Sequence, residues 1–120
     1  PFEMYGHPDM TGRAFTFTPR PTAGAKHPPL EGRLCRGVDL SGMPLAEARD
    51  VGFSLKYVMD ACADLGMGDK FFTPMFEKLI GVGYVREMIL AGASEAEIRV
   101  RWADDVRRFR KLRGRYLLYE

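Results

Sequence analysis

Basic side chains are concentrated near the C-terminus, between residues 99 and 115. Eight of them stand against two acidic ones in this stretch. They are Arg99, Arg101, Arg107, Arg108, Arg110, Lys111, Arg113 and Arg115. Such a stretch can bind phosphate or an anionic polymer. It is also typical of a solvated helix face, with Arg101–Asp105 and Asp104–Arg108 ion pairs at four-residue spacing. Because the whole chain has a net charge of only +2, we favour the solvated face and expect no nucleic-acid partner.

Residue types that could perform catalysis are present but scattered. His7 and Asp9 could form an acid–base pair, whereas His27 lies twenty residues further on. No Cys, His and carboxylate cluster has metal-ligand spacing, so we expect no metal ion and no cofactor. Gly81-Val82-Gly83 lacks the preceding strand and third glycine of a nucleotide-binding loop, and it indicates a turn. No pattern brings two carboxylates or a Ser-His-Asp set together, and we predict no catalytic residue in this chain.

The composition limits the class of protein. Of the 120 residues, 46% are hydrophobic and 28% are charged, which is typical of one globular domain with one core. No apolar run approaches the ~20 residues that cross a bilayer, so we expect no transmembrane segment. The two cysteines, Cys35 and Cys62, could pair with each other. We favour free thiols because Cys62 falls on an apolar helix face.

Residues 1–44 are predicted to form loops and strands. Seven of the eight prolines lie there, and proline removes a backbone donor. Residues 13–18 alternate apolar and polar side chains like a half-buried strand, and residues 33–40 form a second extended piece. Within that piece, Gly37 indicates a bulge or a close backbone approach. Residues 19–32 indicate a long loop.

Residues 45–120 are predicted to form the helical part of the same single domain, which spans residues 1–120. The apolar spacing there changes to three and four residues. The predicted helices span residues 45–66, a short stretch from Pro74, residues 84–91 and residues 94–113. The fold class is therefore α+β, a small sheet with three or four helices.

The last helix has the clearest local signal. Ser94 and Glu97 form a capping box, in which each side chain bonds a backbone N–H at the helix start. An apolar stripe then follows at helical spacing. Its members are Ile98, Trp102, Val106, Phe109 and Leu112. We expect residues 116–119 to form an extended segment that docks on the core.

Several short strings follow one another in a specific order. They are Pro1-Phe2-Glu3 with Gly6 and Pro8; Thr16-Phe17-Thr18-Pro19; Gly32, Cys35, Gly37 and Val38; Phe76-Glu77-Lys78-Leu79-Ile80-Gly81; Val85-Arg86; Ala91-Gly92; Trp102 and Phe109; and Arg113 with Tyr116-Leu117-Leu118-Tyr119. Over nearly the whole chain, this order and spacing resembles the C-terminal part of the bacterial exo-β-N-acetylmuramidase family.

The resemblance implies an architecture and an activity. In that family a Rossmann-like N-terminal domain precedes a smaller C-terminal domain, and the active site lies in the cleft between them. The enzymes remove terminal N-acetylmuramic acid from peptidoglycan fragments during cell-wall turnover. They are periplasmic or secreted, often as lipoproteins, and the catalytic carboxylate is expected in the N-terminal domain. This chain, which begins with Pro1 and not with Met, would then be the C-terminal domain alone and inactive by itself.

The resemblance also implies substrate contacts for six residues. They are Glu3, His7, Thr16, Thr18, Arg33 and Arg36. Glu3 would follow the crossing between the domains, and the two threonines could offer hydroxyls to a sugar. The two arginines could meet the lactyl carboxylate of muramic acid, for which a guanidinium is well shaped, or they could be solvated surface residues.

Some of the remaining residues are expected to have a structural role, and one segment differs from the family pattern. Trp102, Phe109 and Tyr116 are expected in the core and not as sugar platforms, because they continue the helix stripe. Asp39 to Pro44 is more compact than the corresponding family segment and would change the edge of the cleft. The alternative function is a non-catalytic module that binds cell-wall glycan or a protein partner.

Overall fold

The computed structural model describes residues 3–118, so the predicted positions of Pro1, Phe2 and Tyr119 lie outside the described residues. Within this range there are three strands, five α-helices and one short 3-10 helix. The elements are β1 (Met4–His7), β2 (Phe15–Phe17), β3 (Cys35–Asp39), α1 (Leu45–Val51), α2 (Lys56–Leu65), the 3-10 helix (Gly68–Phe71), α3 (Pro74–Ile80), α4 (Tyr84–Leu90) and α5 (Glu95–Arg113). The predicted α+β fold class is confirmed.

The sheet is antiparallel, with β3 between β1 and β2. Gly6 of β1 faces Gly37 of β3, and a Cβ on Gly37 would overlap the carbonyl oxygen of Tyr5. The pairing runs regularly through Gly37, so the close backbone approach is the correct alternative and the bulge is not. Strand β1 is missing from the sequence prediction because it is short, contains a glycine and depends on partner residues about 30 positions away.

The predicted helix over residues 45–66 is divided in two. Helix α1 ends at Val51 and is followed by Gly52, whose φ of 55° is a conformation that favours glycine. Helix α2 begins after Ser54, whose hydroxyl accepts a hydrogen bond from the Lys56 backbone N–H at 3.1 Å. This break raises the number of described helices to five, above the three or four that were predicted.

The chain forms two compact units with a boundary between Phe71 and Phe72. We call the first the sheet unit and the second the helical unit. In the sheet unit the buried hydrophobic residues are Met10, Cys35, Leu55 and Ala61, and in the helical unit they are Val85, Ile89 and Ile98. The prediction of free thiols is confirmed: Cys35 is buried and Cys62 is half-buried, and neither forms a disulfide.

Helix α5 begins and ends where it was predicted to, but the predicted burial of its second half is wrong. The capping box between Ser94 and Glu97 is present. Along the stripe, Ile98 is fully buried and Trp102 is half-buried, but Phe109 is 60% exposed and Tyr116 is 75% exposed. The prediction that Phe109 and Tyr116 belong to the core is therefore wrong. The prediction of an extended segment docked on the core is also wrong for its described residues, 116–118, where Leu118 is 88% exposed.

The physical reason is a mismatch of lengths. At 1.5 Å per residue, α5 is about 28 Å long, whereas α3 and α4 are each about 10 Å long. Helices this short can cover only part of α5.

Ion pairs along α5 support the interpretation of a solvated face. Arg101 lies 3.8 Å from Asp105, as predicted. The predicted Asp104–Arg108 pair is wrong, because Asp104 pairs with Arg107 at 2.7 Å and Arg108 pairs with Asp105. Pairs at three-residue and four-residue spacing are both within reach on a helix surface.

Candidate functional site

Three of the six predicted substrate-contact residues meet across the sheet. Arg36 of β3 faces His7 of β1 on one side and Thr16 of β2 on the other. Side chains of directly opposed residues in an antiparallel pair project from the same face, with Cβ atoms about 5 Å apart. We call His7, Arg36 and Thr16 the polar row.

The opposite face of the sheet fixes the polar row in place. Cys35 and Gly37 are buried there, and the rings of Phe15 and Phe17 stack with centroids 5.8 Å apart. A Cβ at Gly6 would lie 2.9 Å from the Phe17 ring, so this glycine lets the aromatic layer approach the backbone. One face is therefore packed, and the other presents polar groups.

Arg36 has the charge that a carboxylate ligand requires. Its side chain is exposed, and it makes no ion pair with any residue between 3 and 118. A guanidinium offers five N–H donors and can bind a carboxylate with two parallel hydrogen bonds. Thr16 beside it is also exposed and adds a hydroxyl that can donate or accept.

His7 lies in contact with Asp9, the residue with which it could form an acid–base pair. The ring atom Nδ1 accepts a hydrogen bond from the Asp9 backbone N–H at 3.2 Å, and the Asp9 carboxylate lies 3.5 Å from the same nitrogen. In the neutral ring this bond puts the proton on Nε2, which can donate to a ligand. A protonated ring would instead pair with the carboxylate. The His7 side chain is 29% exposed, so a ligand on the polar face can reach it.

Thr18 and Arg33 lie next to the polar row, where β2 has ended and β3 has not yet begun. Their two segments are joined because the Gly32 backbone N–H donates to the Pro19 carbonyl at 3.0 Å. Thr18 is half-buried and Arg33 is exposed. The structure therefore places five of the six predicted residues at or beside one end of the sheet.

Glu3 is separate from this group. It precedes β1, and its carbonyl accepts a hydrogen bond from the Leu40 backbone N–H at 2.7 Å. Three strand residues lie between it and His7, and these four steps along the strand span about 13 Å. Glu3 lines a shallow pocket of about 290 Å³ together with Leu40, Met43, Ala48, Val51, Gly52 and Tyr57.

The compact segment from Asp39 to Pro44 forms one wall of the Glu3 pocket through Leu40 and Met43. Asp39 stabilises the turn, since its carboxylate accepts a hydrogen bond from the Ser41 backbone N–H at 2.9 Å. This bond lowers the pKa of the Asp39 carboxyl below its usual value. The segment from Asp39 to Pro44 is therefore an ordered turn.

Tyr5 is a residue of the polar face that the sequence analysis missed. It lies two residues before His7 in β1, so both side chains project from the same face. Its ring meets the ring of Tyr57 on α2 edge to face, with centroids 6.2 Å apart. Burial, and then the nearby Asp60 carboxylate, raise the pKa of Tyr5. The alternation of side chains along β1 would have identified Tyr5, had that strand been predicted.

One ion pair ties α2 to the segment between β1 and β2, and a second lies within α2 itself. Arg13 bonds Asp64 at 2.6 Å, and Lys56 bonds Asp60 at 2.5 Å. The Asp64 bond raises the pKa of Arg13, so this side chain stays charged. We assign the Arg13–Asp64 pair to holding α2 over the Tyr5 end of the sheet, whereas the Lys56–Asp60 pair spans one turn of the helix.

No group of three His, Cys, Asp or Glu side chains between residues 3 and 118 could hold a metal ion. None of the helices in that part of the chain is long and apolar enough to cross a membrane.

Comparison with known proteins identifies the family. The family described as exo-beta-N-acetylmuramidase NamZ, C-terminal, matches residues 1–119. Peptidoglycan beta-N-acetylmuramidase NamZ of Bacillus subtilis (strain 168) is 35% identical over an alignment of 116 residues, and the match covers 93% of this chain and 26% of that protein. The crystal structure of a DUF1343 family protein from Bacteroides fragilis NCTC 9343 is 51% identical with a TM-score of 0.92, and the match covers 100% of this chain and 34% of that one.

The chain thus spans between a quarter and about a third of the length of these relatives. The family matched over residues 1–119 is the one that the ordered strings of the sequence indicate. By this match, the chain belongs to the exo-β-N-acetylmuramidase NamZ family and corresponds to its C-terminal part.

Proposed function

We propose that this chain is the substrate-cleft domain of a longer exo-β-N-acetylmuramidase that removes terminal N-acetylmuramic acid from peptidoglycan fragments. In this proposal residues 1–120 are one domain, with a loop-and-strand part over 1–44 and a helical part over 45–120. The family match and the printed activity of the Bacillus subtilis relative support it. The enzyme would act in the periplasm or outside the cell, where peptidoglycan is found, as one step of cell-wall turnover.

The polar row is the observation that carries the proposal. Muramic acid differs from other amino sugars of the wall by a lactyl ether with a carboxylate. Arg36 would bind that carboxylate with two hydrogen bonds, while Thr16 and the His7 Nε2–H would bind neighbouring sugar oxygens. Thr18 and Arg33 would extend the contact beside the polar row. Glu3 would contact the substrate or the preceding domain at the other end of β1.

The catalytic carboxylate would come from the Rossmann-like N-terminal part of the same protein. Glycoside hydrolysis generally uses two carboxyl groups on either side of the scissile bond. Asp9 is the carboxylate nearest in sequence to the polar row, and its side chain is exposed, 3.5 Å from the His7 Nδ1 atom. The 120-residue chain would accordingly bind substrate weakly and turn over none.

The decisive experiment measures release of a chromophore from a β-glycoside of N-acetylmuramic acid. The 120-residue chain is compared with the full-length protein that carries it. We expect turnover only by the full-length protein. Turnover by the 120 residues alone would show that catalysis does not depend on the preceding part.

The role of Arg36 is tested in the full-length protein by Arg36→Ala. Loss of a charge-assisted hydrogen bond of about 1.5–3 kcal/mol predicts a rise in KM of roughly 10- to 100-fold. Arg36→Lys should recover part of the loss, and Arg20→Ala, which removes an exposed arginine of the long loop, should have no effect. If Arg36→Ala leaves KM unchanged for the muramic acid glycoside, the polar row does not bind the lactyl group.

A glycan-binding module is the second candidate, because all three residues of the polar row come from this chain. Calorimetric titration of the 120 residues with muramic-acid-containing fragments separates the two. Saturable binding in the micromolar range would favour the self-contained module. Binding that requires the full-length protein would favour the divided cleft.

A further inference from the structure

The surface of the helical unit holds an apolar face that its own helices leave uncovered. It lies on the last two turns of α5 and the residues that follow. Its members are Val106, Phe109, Leu112, Tyr116, Leu117 and Leu118, and every described residue from 106 to 118 is exposed. We call these six residues the α5 apolar face. Contiguous exposed apolar residues of this kind mark interaction sites on folded proteins.

The α5 apolar face continues a buried surface. Phe109 follows Ile98 by eleven residues, which is three helical turns, so both lie on the same side of α5. Ile98 is fully buried, whereas Phe109 is 60% exposed. Val100 projects from the opposite side of the helix, where it is 75% exposed. The helix therefore has one apolar side that is covered in its first half only.

Cations border this face. Arg110, Lys111, Arg113 and Arg115 are exposed, and none forms an ion pair with a residue in the described range 3–118. Arg110 is one turn beyond Val106, and Arg113 is one turn beyond Phe109. A second copy of the chain would bring a second set of the same cations against these, which disfavours self-association through this face. The matching partner has an apolar centre and an acidic rim.

We propose that the α5 apolar face docks against the preceding part of the full-length protein, on an apolar surface edged with acidic side chains. The inference rests on the proposed function, because that function requires a preceding part of the protein. The relatives support the inference, because the matched region is only 26% of the Bacillus subtilis protein and 34% of the Bacteroides fragilis chain. Their additional chain is long enough to supply such a surface. The last turns of α5 and residues 116–118 would then hold the two parts of the enzyme together.

Thiol labelling tests the proposal. Phe109→Cys and Val100→Cys are made separately in a Cys62→Ser background, since Cys62 is half-buried and could react. Each variant is prepared as the 120-residue chain and as the full-length protein. Maleimide labelling rates are read on individual peptides by mass spectrometry, so that other cysteines do not interfere. Circular dichroism checks that each variant keeps its helix content.

In the 120-residue chain, both introduced thiols should react at rates within about threefold of each other. In the full-length protein, labelling at Phe109→Cys should fall by at least tenfold, and labelling at Val100→Cys should not change. Equal rates at both positions in the full-length protein would overturn the proposal. Protection of Phe109→Cys in the 120-residue chain would also overturn it, whether it rises with protein concentration, as for a second copy, or appears only with phosphatidylglycerol vesicles, as for an anionic membrane.

The labelling result and the muramidase assay fail independently. A full-length protein that protects Phe109→Cys but releases no chromophore would keep the docking proposal and refute the activity. A protein that hydrolyses the glycoside while both thiols stay equally reactive would keep the activity and refute the docking.

Discussion

The two halves of α5 have the same sequence pattern and different surroundings. Over residues 95–105 the helix is capped by Ser94 and buries Ile98. It also carries Arg101 over the Tyr84 ring, at 4.4 Å from the centroid. Over residues 106–113 the same apolar periodicity continues, but every side chain is exposed. Periodicity thus reports which side of a helix can be buried, while the available neighbours decide how much of that side is buried.

Tyr84 shows how the first half is held. Its hydroxyl lies 3.4 Å from the Asp105 carboxylate, and its ring receives Arg101. Burial, and then the Asp105 charge, raise the pKa of Tyr84. Asp105 is held in turn by Arg108, which lowers the pKa of Asp105. These contacts end at residue 108, near the point where burial ends.

The largest expected difference between the halves follows from Ile98→Ala. Removing a fully buried isoleucine side chain costs about 2–5 kcal/mol of unfolding free energy. Urea titration followed by the fluorescence of Trp102, which is the one tryptophan in the chain, measures this loss within the helical unit. A loss below about 1 kcal/mol would mean that the first half of α5 is not packed as described.

The second-largest change in unfolding free energy is expected at Ser94, the N-cap of α5. Ser94→Ala removes the hydroxyl that accepts the Glu97 backbone N–H, and the expected cost is about 1 kcal/mol. The same urea titration measures it. Ser54→Ala is a useful comparison, because Ser54 accepts a similar bond ahead of the shorter α2. A cost of zero at Ser94 would indicate that the helix start is held by packing alone.

The pH dependence of the cap is a smaller effect with a defined sign. Hydrogen bonds from the Ser94 backbone N–H and hydroxyl lower the pKa of Glu97. A carboxyl with a lowered folded-state pKa adds stability that is fully present above its unfolded pKa. That stability is lost as the pH falls through the lower folded value. The stability advantage of the unmodified chain over Glu97→Gln should therefore shrink on acidification below about pH 4.3, the ordinary glutamate pKa.

Urea midpoints of the two proteins, measured from pH 7 to pH 3, check this prediction. Glutamine keeps an acceptor at the same position but does not titrate, so the difference between the two isolates Glu97 from other acids. A difference that grows on acidification would contradict the assigned sign.

Local signals account for what the sequence predicted well. The Ser94 and Glu97 box, the proline at the start of α3 and the change of periodicity at residue 45 each depend on residues within one or two turns. Strand β1 could not be found in this way, because its pairing with β3 spans the long loop. The break at Gly52 depends on a positive φ, which the apolar spacing over residues 45–66 does not indicate.

The candidate site was likewise predictable in part, as single residues but not as an arrangement. Resemblance to the family named His7, Thr16 and Arg36 individually. Their alignment in one row required the register of three strands, which is fixed by tertiary pairing and not by any local pattern. Tyr5 was missed for the same reason, and Glu3 could not be separated from the others until the register placed it opposite Leu40.

The smallest expected effect is at Phe109. In the 120-residue chain, Phe109→Ala should change the unfolding free energy by less than about 0.5 kcal/mol, because little packing is lost from an exposed position. Alanine also has the higher helix propensity, which offsets the contacts that remain. Urea titration monitored at Trp102 compares this variant directly with Ile98→Ala. If both variants lose several kcal/mol, the two halves of α5 are equally packed in solution and the distinction between them fails. If only Ile98→Ala loses several kcal/mol, the apolar stripe of α5 has two roles. Its first half stabilises the helical unit, and its second half is left for a partner.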